Sequence, residues 1–359
     1  MILPGFGRAA QEALAGSHAL VVGCGALGCA AIDLLARAGV GTLTLVDRDT
    51  VEATNLQRQT LYTERDVRES APKAEAAKRR VREVNSTIRV HACVEHLGPE
   101  NALELVRDCT VVVDGLDNYR TRFVLNDAAV QLGRPYIYAG AVGMRGMSMP
   151  VLAGADQLGA NRADHAAAPA RMPCLRCLFG DAPPPGEGET CDTAGVFAPV
   201  VAATGALAAS QALKVLAGLW HLVDRSLWSL DLHANREHRT PLAGAARPDC
   251  PCCVHRTFAY LQPNADDQVT ILCGRNAVQV TPARHGPAAV LDLHQVAARL
   301  QPLGRFEVRD RLLTGALGAQ RTPEGGPVEL TLFADGRAIV RGSTNRHFAK
   351  SLYDRLVGS

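Results

Sequence analysis

An excess of charge of either sign is what this 359-residue sequence most clearly lacks: 38 Lys and Arg against 36 Asp and Glu leave a formal charge of +2. With no field to collect a polyanion, nucleic acid and anionic membrane are excluded as partners. Aromatic residues are scarce too, at 4%. No basic segment precedes an apolar run at the start, because residues 2–7 lead straight into Arg8, Gln11 and Glu12. No signal peptide is expected, and the protein is read as cytoplasmic. The stretch most like a membrane span, residues 196–220, is rich in alanine and interrupted by Pro199, Gly205, Gln211 and Lys214, so it reads as a buried helix. No internal repeat is visible. Apolar residues at 47% and charged residues at 21% are ordinary for a soluble globular chain and remove disordered, collagen-like and coiled-coil readings. The length exceeds one ordinary domain.

Short apolar runs at 19–22, 42–46, 111–113 and 136–138 read as buried strands, with helical patterns at 71–84 and 121–132 between them. That alternation implies a parallel sheet with helices on its faces, an α/β, Rossmann-like, doubly wound fold. From residue 153 the composition turns to Ala, Gly, Pro and Asp, with Pro183-Pro184-Pro185-Gly186 at the centre. This is expected to be a mobile crossover loop over 153–192. Order resumes at Val196, a strand is expected at 227–232, and the first domain, 1–262, ends after a cysteine cluster that begins at Cys250. Residues 266–359 read as a small α+β interaction module. It has a strand at 269–272, a helix at 291–300, a hairpin turning at Asp335-Gly336 and a closing helix at 346–357.

Gly23-Cys24-Gly25-Ala26-Leu27-Gly28 follows a strand and opens a helix. There glycines let main chain approach a phosphate and the helix N-terminus supplies positive partial charge. Asp47 ends the second strand, where a carboxylate can accept ribose hydroxyls. On these features alone the reading is an NAD-dependent oxidoreductase. Residues further along the chain redirect it: Asn55-Leu56-Gln57-Arg58-Gln59, then Lys73 at a helix start, then Asp117-Asn118 past the fourth strand. Hydride transfer needs none of them. Nucleotidyl transfer needs cations against phosphate charge and an acid to hold Mg²⁺.

With the glycine loop, Leu45-Val46-Asp47-Arg48-Asp49, the Asn55–Gln59 run, Lys73 and Asp114-Gly115-Leu116-Asp117-Asn118 in place, the sequence over residues 2–261 resembles the ThiF/MoeB/HesA family. That family shares its adenylation domain with ubiquitin-activating enzymes. The resemblance implies ATP-dependent adenylation of the C-terminal glycine of a ubiquitin-like or sulfur-carrier protein ending in Gly-Gly, with release of pyrophosphate, by a homodimer. It implies that Gly23, Gly25, Ala26 and Gly28 lie on the nucleotide phosphates, with Asn118 also at the nucleotide, and that Asp47 binds ribose. Asn55, Arg58 and Lys73 would stabilise the phosphate under attack, and Asp117 would hold Mg²⁺. Sulfur transfer for molybdopterin, thiamine or thiolated tRNA outranks protein conjugation, because no separate catalytic-cysteine domain is seen. The family arginine that reaches into the partner subunit's site lies just before the residues matching Met1-Ile2-Leu3-Pro4-Gly5. The expectation is therefore that Met1 is an internal methionine, with substitution by Arg8 or another residue as the alternative.

The chain has 11 cysteines. Cys174 and Cys177, with Cys250 and Cys253, form two pairs at metal-ligand spacing, and four thiolates make a closed tetrahedral Zn²⁺ site. Cys252 and His255 are alternatives for the fourth ligand. Cys191, ahead of a helix, is a candidate nucleophile. It matches the family cysteine that can take the carrier as a thioester or acyl persulfide, and the alternative is an inert buried thiol. Cys24, Cys29, Cys93 and Cys109 read as core filler. Cys273 lacks the anion-cradling run of a rhodanese loop and reads as a strand residue.

Overall fold

The computed structural model describes residue 3 and residues 5–154, 171–181, 195–262, 269–272, 276–281 and 291–357. They fall into two compact units, Met1–Gln262 and Pro263–Ser359. In the first, eight strands are β1 His18–Val22, β2 Thr42–Val46, β3 Arg89–Cys93, β4 Val111–Asp114, β5 Tyr136–Val142, β6 Arg145–Val151, β7 Ser226–Asp231 and β8 Arg236–Pro241. They form one mixed sheet in the order β3-β2-β1-β4-β5-β6-β7-β8. The strands from β3 to β5 pair parallel, and β6 to β8 join antiparallel. Strand β4 is buried at every position, as a parallel strand covered on both faces must be.

The strands β1 and β4 lie side by side, yet the chain leaves β1 toward β2 and β4 toward β5. A crevice therefore opens between their carboxyl ends, at the point where the strand order reverses. Helix α2, Ala26–Ala38, starts in that crevice and ends on Gly39, which takes the left-handed conformation at φ 82°. The alanine-rich helix, Ala198–Leu216, crosses α2 closely: a Cβ on Gly205 would lie 2.8 Å from Leu27 O and 2.7 Å from Ala30 Cβ. Its small residues serve backbone approach to α2. Among the described residues it is the one helix long and apolar enough to cross a membrane, and 56% of that apolar window is buried in the protein.

Several elements were not read from the sequence. Helix α1 spans Arg8–Ala15, α3 Glu64–Arg68, and α5 Ala102–Arg107. Strand β8 reads Arg-Glu-His-Arg-Thr-Pro and is exposed throughout, so its backbone pairing with β7, not side-chain burial, makes it a strand. Helix α4 is Lys73–Val84 and α6 is Tyr119–Leu132. Within the stretch read as a crossover loop, residues 171–181 are described, and Leu175–Phe179 forms a short helix, α7. Burial of Met172, Cys174, Leu175 and Cys177 orders it. The alanine-rich helix is α8 below. Residues 155–170 and 182–194, Cys191 included, lie outside the described residues, as does Cys273.

Asp66 fixes α3 against α4. Its Oδ2 accepts from Thr63 N at 2.7 Å and Thr63 Oγ1 at 2.8 Å, while Arg79 of α4 pairs with Oδ1. Burial pushes this carboxyl up, but those donors outweigh it and hold it below the usual range. A depressed folded value means that the stabilisation is present above the unfolded value near 3.9 and is lost as pH falls through the folded one. Asp66→Asn is expected to cost about 1.5–3 kcal/mol at neutral pH. The difference from the native chain should begin to shrink only as pH falls below about 4, toward the lower folded value, as urea unfolding at several pH values would report.

The second unit carries strands β9 Val269–Leu272, β10 Ala277–Val280, β11 Gly304–Arg309, β12 Leu312–Arg321, β13 Pro327–Phe333 and β14 Ala338–Arg341. They form an antiparallel sheet in the order β11-β12-β13-β14-β10-β9. Helices α9, Leu293–Leu300, and α10, Arg346–Leu356, complete a core that includes Val278, Val280, Leu300, Leu330, Leu332, Leu352 and Tyr353. Asp335 and Gly336, the latter at φ 88°, turn the chain between β13 and β14.

Candidate nucleotide site and cysteine cluster

Three glycines bring main chain against main chain where β1 and β4 leave the sheet. A Cβ on Gly28 would sit 1.9 Å from Gly23 O, one on Gly115 2.1 Å from the same oxygen, and one on Gly23 2.5 Å from Gly115 C. Gly23 also needs φ 91°. Gly25 is the N-cap of α2 with no capping side chain, so the N–H groups of the first turn face the crevice without a side-chain acceptor.

Asp47 closes the loop from below. Its Oδ2 accepts from Cys24 N and its Oδ1 from Asp49 N, each at 2.7 Å. Burial pushes its carboxyl up, opposed by the charge of Lys73 and by those two N–H donors. Each oxygen keeps a further lone pair, so Asp47 can orient the loop and still accept from a ligand hydroxyl. Lys73, the first residue of α4, has a side chain only 4% exposed, and its Nζ lies 3.2 Å from Asp49 Oδ2. Lys73 N also donates to Asp49 O at 2.8 Å. The buried Tyr62 hydroxyl reaches Cys24 O at 2.7 Å and Lys73 O at 3.2 Å, joining the glycine loop to the lysine. The structure thus gathers the glycines, Asp47 and Lys73.

Asn55 and Arg58 share the turn after β2. Asn55 is 2% exposed and its Oδ1 accepts from Glu52 N at 3.1 Å, while Arg58 Nη1 donates to Thr54 O at 2.9 Å. Asp117 is exposed at the mouth of β4. Asn118 is the N-cap of α6, its Oδ1 accepting from Thr121 N at 2.9 Å.

Beneath Asp117 lies a network that sequence reasoning missed. Arg122 Nε pairs with Asp114 Oδ2 at 3.2 Å, and Tyr136 Oη donates to the same oxygen at 2.5 Å. Leu116 is held at both backbone groups: its N–H donates to Asp114 Oδ1 at 2.9 Å and its carbonyl accepts from Arg122 Nη2. Arg122 also reaches Ala139 O at 3.0 Å. The available signal was an acid ending an apolar strand, with an arginine inside an otherwise buried helix. Asp49 was visible only as part of the Leu45–Asp49 run, and Tyr62 left no signal of its own.

The sulfurs of Cys174, Cys177, Cys250 and Cys253, all buried, lie within 4.8 Å of one another. Cys174 and Cys250 are 3.6 Å apart, Cys177 and Cys253 3.5 Å. Metal–sulfur bonds of about 2.3 Å in a tetrahedron require sulfur separations of roughly 3.8 Å, so this donor set fits a four-coordinate metal ion. Cys252 falls outside the four and is hydrogen-bonded to Asn126 at 3.3 Å; His255 is exposed. Cys24, Cys29 and Cys109 are fully buried. Burial pushes the Cys29 and Cys109 thiols up to about 12.

Comparison with known proteins agrees with this geometry. Residues 1–252 match the profile of the ThiF family. The sulfur carrier protein ThiS adenylyltransferase of Bacillus subtilis is 37% identical over 352 residues, 98% of this chain and 96% of that one, so the likeness runs through both units. A sulfur carrier protein adenylyltransferase of Thermus thermophilus is 40% identical over 257 residues, covering 70% and 88% of the two chains. In fold, the chain resembles the crystal structure of Escherichia coli MccB with ATP, with TM-score 0.55 and 24% identity over 68% of this chain and 69% of that one.

Proposed function

This chain belongs to the ThiF family, and from that premise we propose that it uses ATP to adenylate the C-terminal glycine of a sulfur-carrier protein ending in Gly-Gly, releasing pyrophosphate, in the service of sulfur transfer. The observation that carries the reading is the buried Lys73 beside a glycine loop in the β1–β4 crevice. Hydride transfer itself does not require that lysine, and the family match favours adenylation over the NAD(H) alternative. The names of the Bacillus and Thermus relatives favour a sulfur carrier over a protein destined for conjugation.

In this reading the carrier's carboxylate attacks the α-phosphate, and two anions meet only where cations offset their repulsion. Gly23, Gly25, Ala26 and Gly28 present main chain to the phosphates, and Asp47 accepts from ribose. Lys73, Asn55 and Arg58 stabilise the charge that develops, with Asn118 setting the rim. Lys73 is pre-placed by Asp49 and exchanges that partner for phosphate when nucleotide arrives. Asp117 would hold Mg²⁺, which when bound would neutralise charge on the phosphates. The cysteine cluster would hold a structural Zn²⁺, since four ligands leave no vacant position. A cytoplasmic homodimer remains the expected state, and Cys191 a candidate acceptor of the activated carrier.

ATP–pyrophosphate exchange with Mg²⁺ and a ThiS-type carrier tests the proposal. Carrier-dependent exchange is expected. Absence of exchange together with tight NAD(H) binding would return the site to a dehydrogenase. A separate expectation concerns the loop itself: Gly28→Ala would force the Gly23 carbonyl away, and overpacking of that kind costs roughly 1–3 kcal/mol. ATP affinity by titration calorimetry should fall about tenfold or more, the equivalent of about 1.4 kcal/mol.

A further inference from the structure

Asn126 sits on α6 with none of its surface exposed, and its amide faces both cysteine-bearing segments at once. Its Oδ1 accepts from the backbone N–H of Leu175, the residue after Cys174, at 2.9 Å. Its Nδ2 donates to Cys252 Sγ at 3.3 Å and to Asp127 Oδ1 at 3.2 Å. Asp127, equally buried, accepts from Tyr260 N at 3.1 Å through Oδ2 and lies within hydrogen-bond reach of Cys252. The amide cannot be turned over, because that would set Nδ2 against the Leu175 N–H, donor against donor.

The cysteine pairs that converge on the cluster come from segments 76 residues apart, and four thiolates brought together repel one another. Something outside the cluster must hold both segments in register if the site is to be formed before the metal arrives. A helix of the main sheet is a rigid place from which to do so. We infer that Asn126 positions the two cysteine pairs for their metal, and that Cys252, the fifth sulfur, belongs to this clamp and not to the tetrahedron. Outer residues that orient metal ligands in this way change metal affinity by roughly 10- to 100-fold when removed. The inference rests on the zinc reading given above.

The test measures zinc content and zinc affinity of the full chain by competition with a chromogenic chelator. The native chain should carry zinc at one ion per four-cysteine site. Asn126→Ala should still take up zinc but bind it roughly 10- to 100-fold more weakly. Cys252→Ala should keep the native zinc content, whereas Cys253→Ala should lose it. Should Asn126→Ala fail to fold, Asn126→Asp keeps the acceptor for Leu175 and lacks the donor to Cys252, and the same direction is expected. A native chain without zinc overturns the zinc reading and the inference with it. A native chain that holds zinc, with unchanged affinity in the Asn126 variants, overturns the inference alone, as does zinc loss in Cys252→Ala.

Discussion

Lys73→Ala should reduce carrier-dependent ATP–pyrophosphate exchange by on the order of 10³-fold while the chain stays folded. Lys73 begins α4 with its side chain 4% exposed and its ammonium 3.2 Å from Asp49. In the proposed reading a cation so enclosed would meet phosphate through little intervening water, so its removal should cost more than that of a surface lysine. Arginine is not expected to restore the rate, because a guanidinium is larger and planar and this position is closed. The fold should survive, since Arg48 Nε lies 3.8 Å from the other Asp49 oxygen and retains a positive neighbour for it. Exchange and a thermal melt of the same sample decide the matter. Retained exchange would remove Lys73 from the chemistry, and a collapsed melt would make it a structural residue.

Arg122→Met should be strongly destabilising, at about 3–5 kcal/mol. Arg122 and Asp114 expose 8% and 0% of their side chains, so no water can replace the lost partner. Burial already pushes the Asp114 carboxyl up, with Arg122 and the Tyr136 hydroxyl opposing it. Without the arginine the folded value rises further. A raised folded value gives stability that is present below the unfolded value near 3.9 and is lost as pH climbs through the folded one. The deficit of Arg122→Met should therefore shrink as pH is lowered toward 4. Adding Asp114→Asn should recover part of it at neutral pH by removing the stranded charge. Urea unfolding of the two variants across pH checks both statements. Since Arg122 and Asp114 hold both backbone groups of Leu116, exchange should fall as well through the displaced Asp117.

The features legible in advance obey short-range rules. Buried parallel strands such as Val111–Asp114 are continuous apolar runs, and a glycine loop between a strand and a helix has a recognisable spacing. Strand β8 was illegible because nothing in Arg-Glu-His-Arg-Thr-Pro favours a strand until β7 offers its edge. Helix α7 was hidden inside a proline- and glycine-rich stretch, and its order depends on burial against distant residues.

The sequence by itself determined the alternation of strands and helices in the first unit, the glycine loop, and the two cysteine pairs, because each is a pattern within a few consecutive residues. The residues proposed for adenylation were likewise named from the sequence, as types at recognisable spacings. Only the tertiary structure decided that Cys252 meets Asn126, that Lys73 rests on Asp49, and that Arg122 neutralises Asp114. Those choices concern which buried polar group faces which. Burial makes each such pairing obligatory, but the partner is set by how strands and helices pack, and no local spacing encodes it.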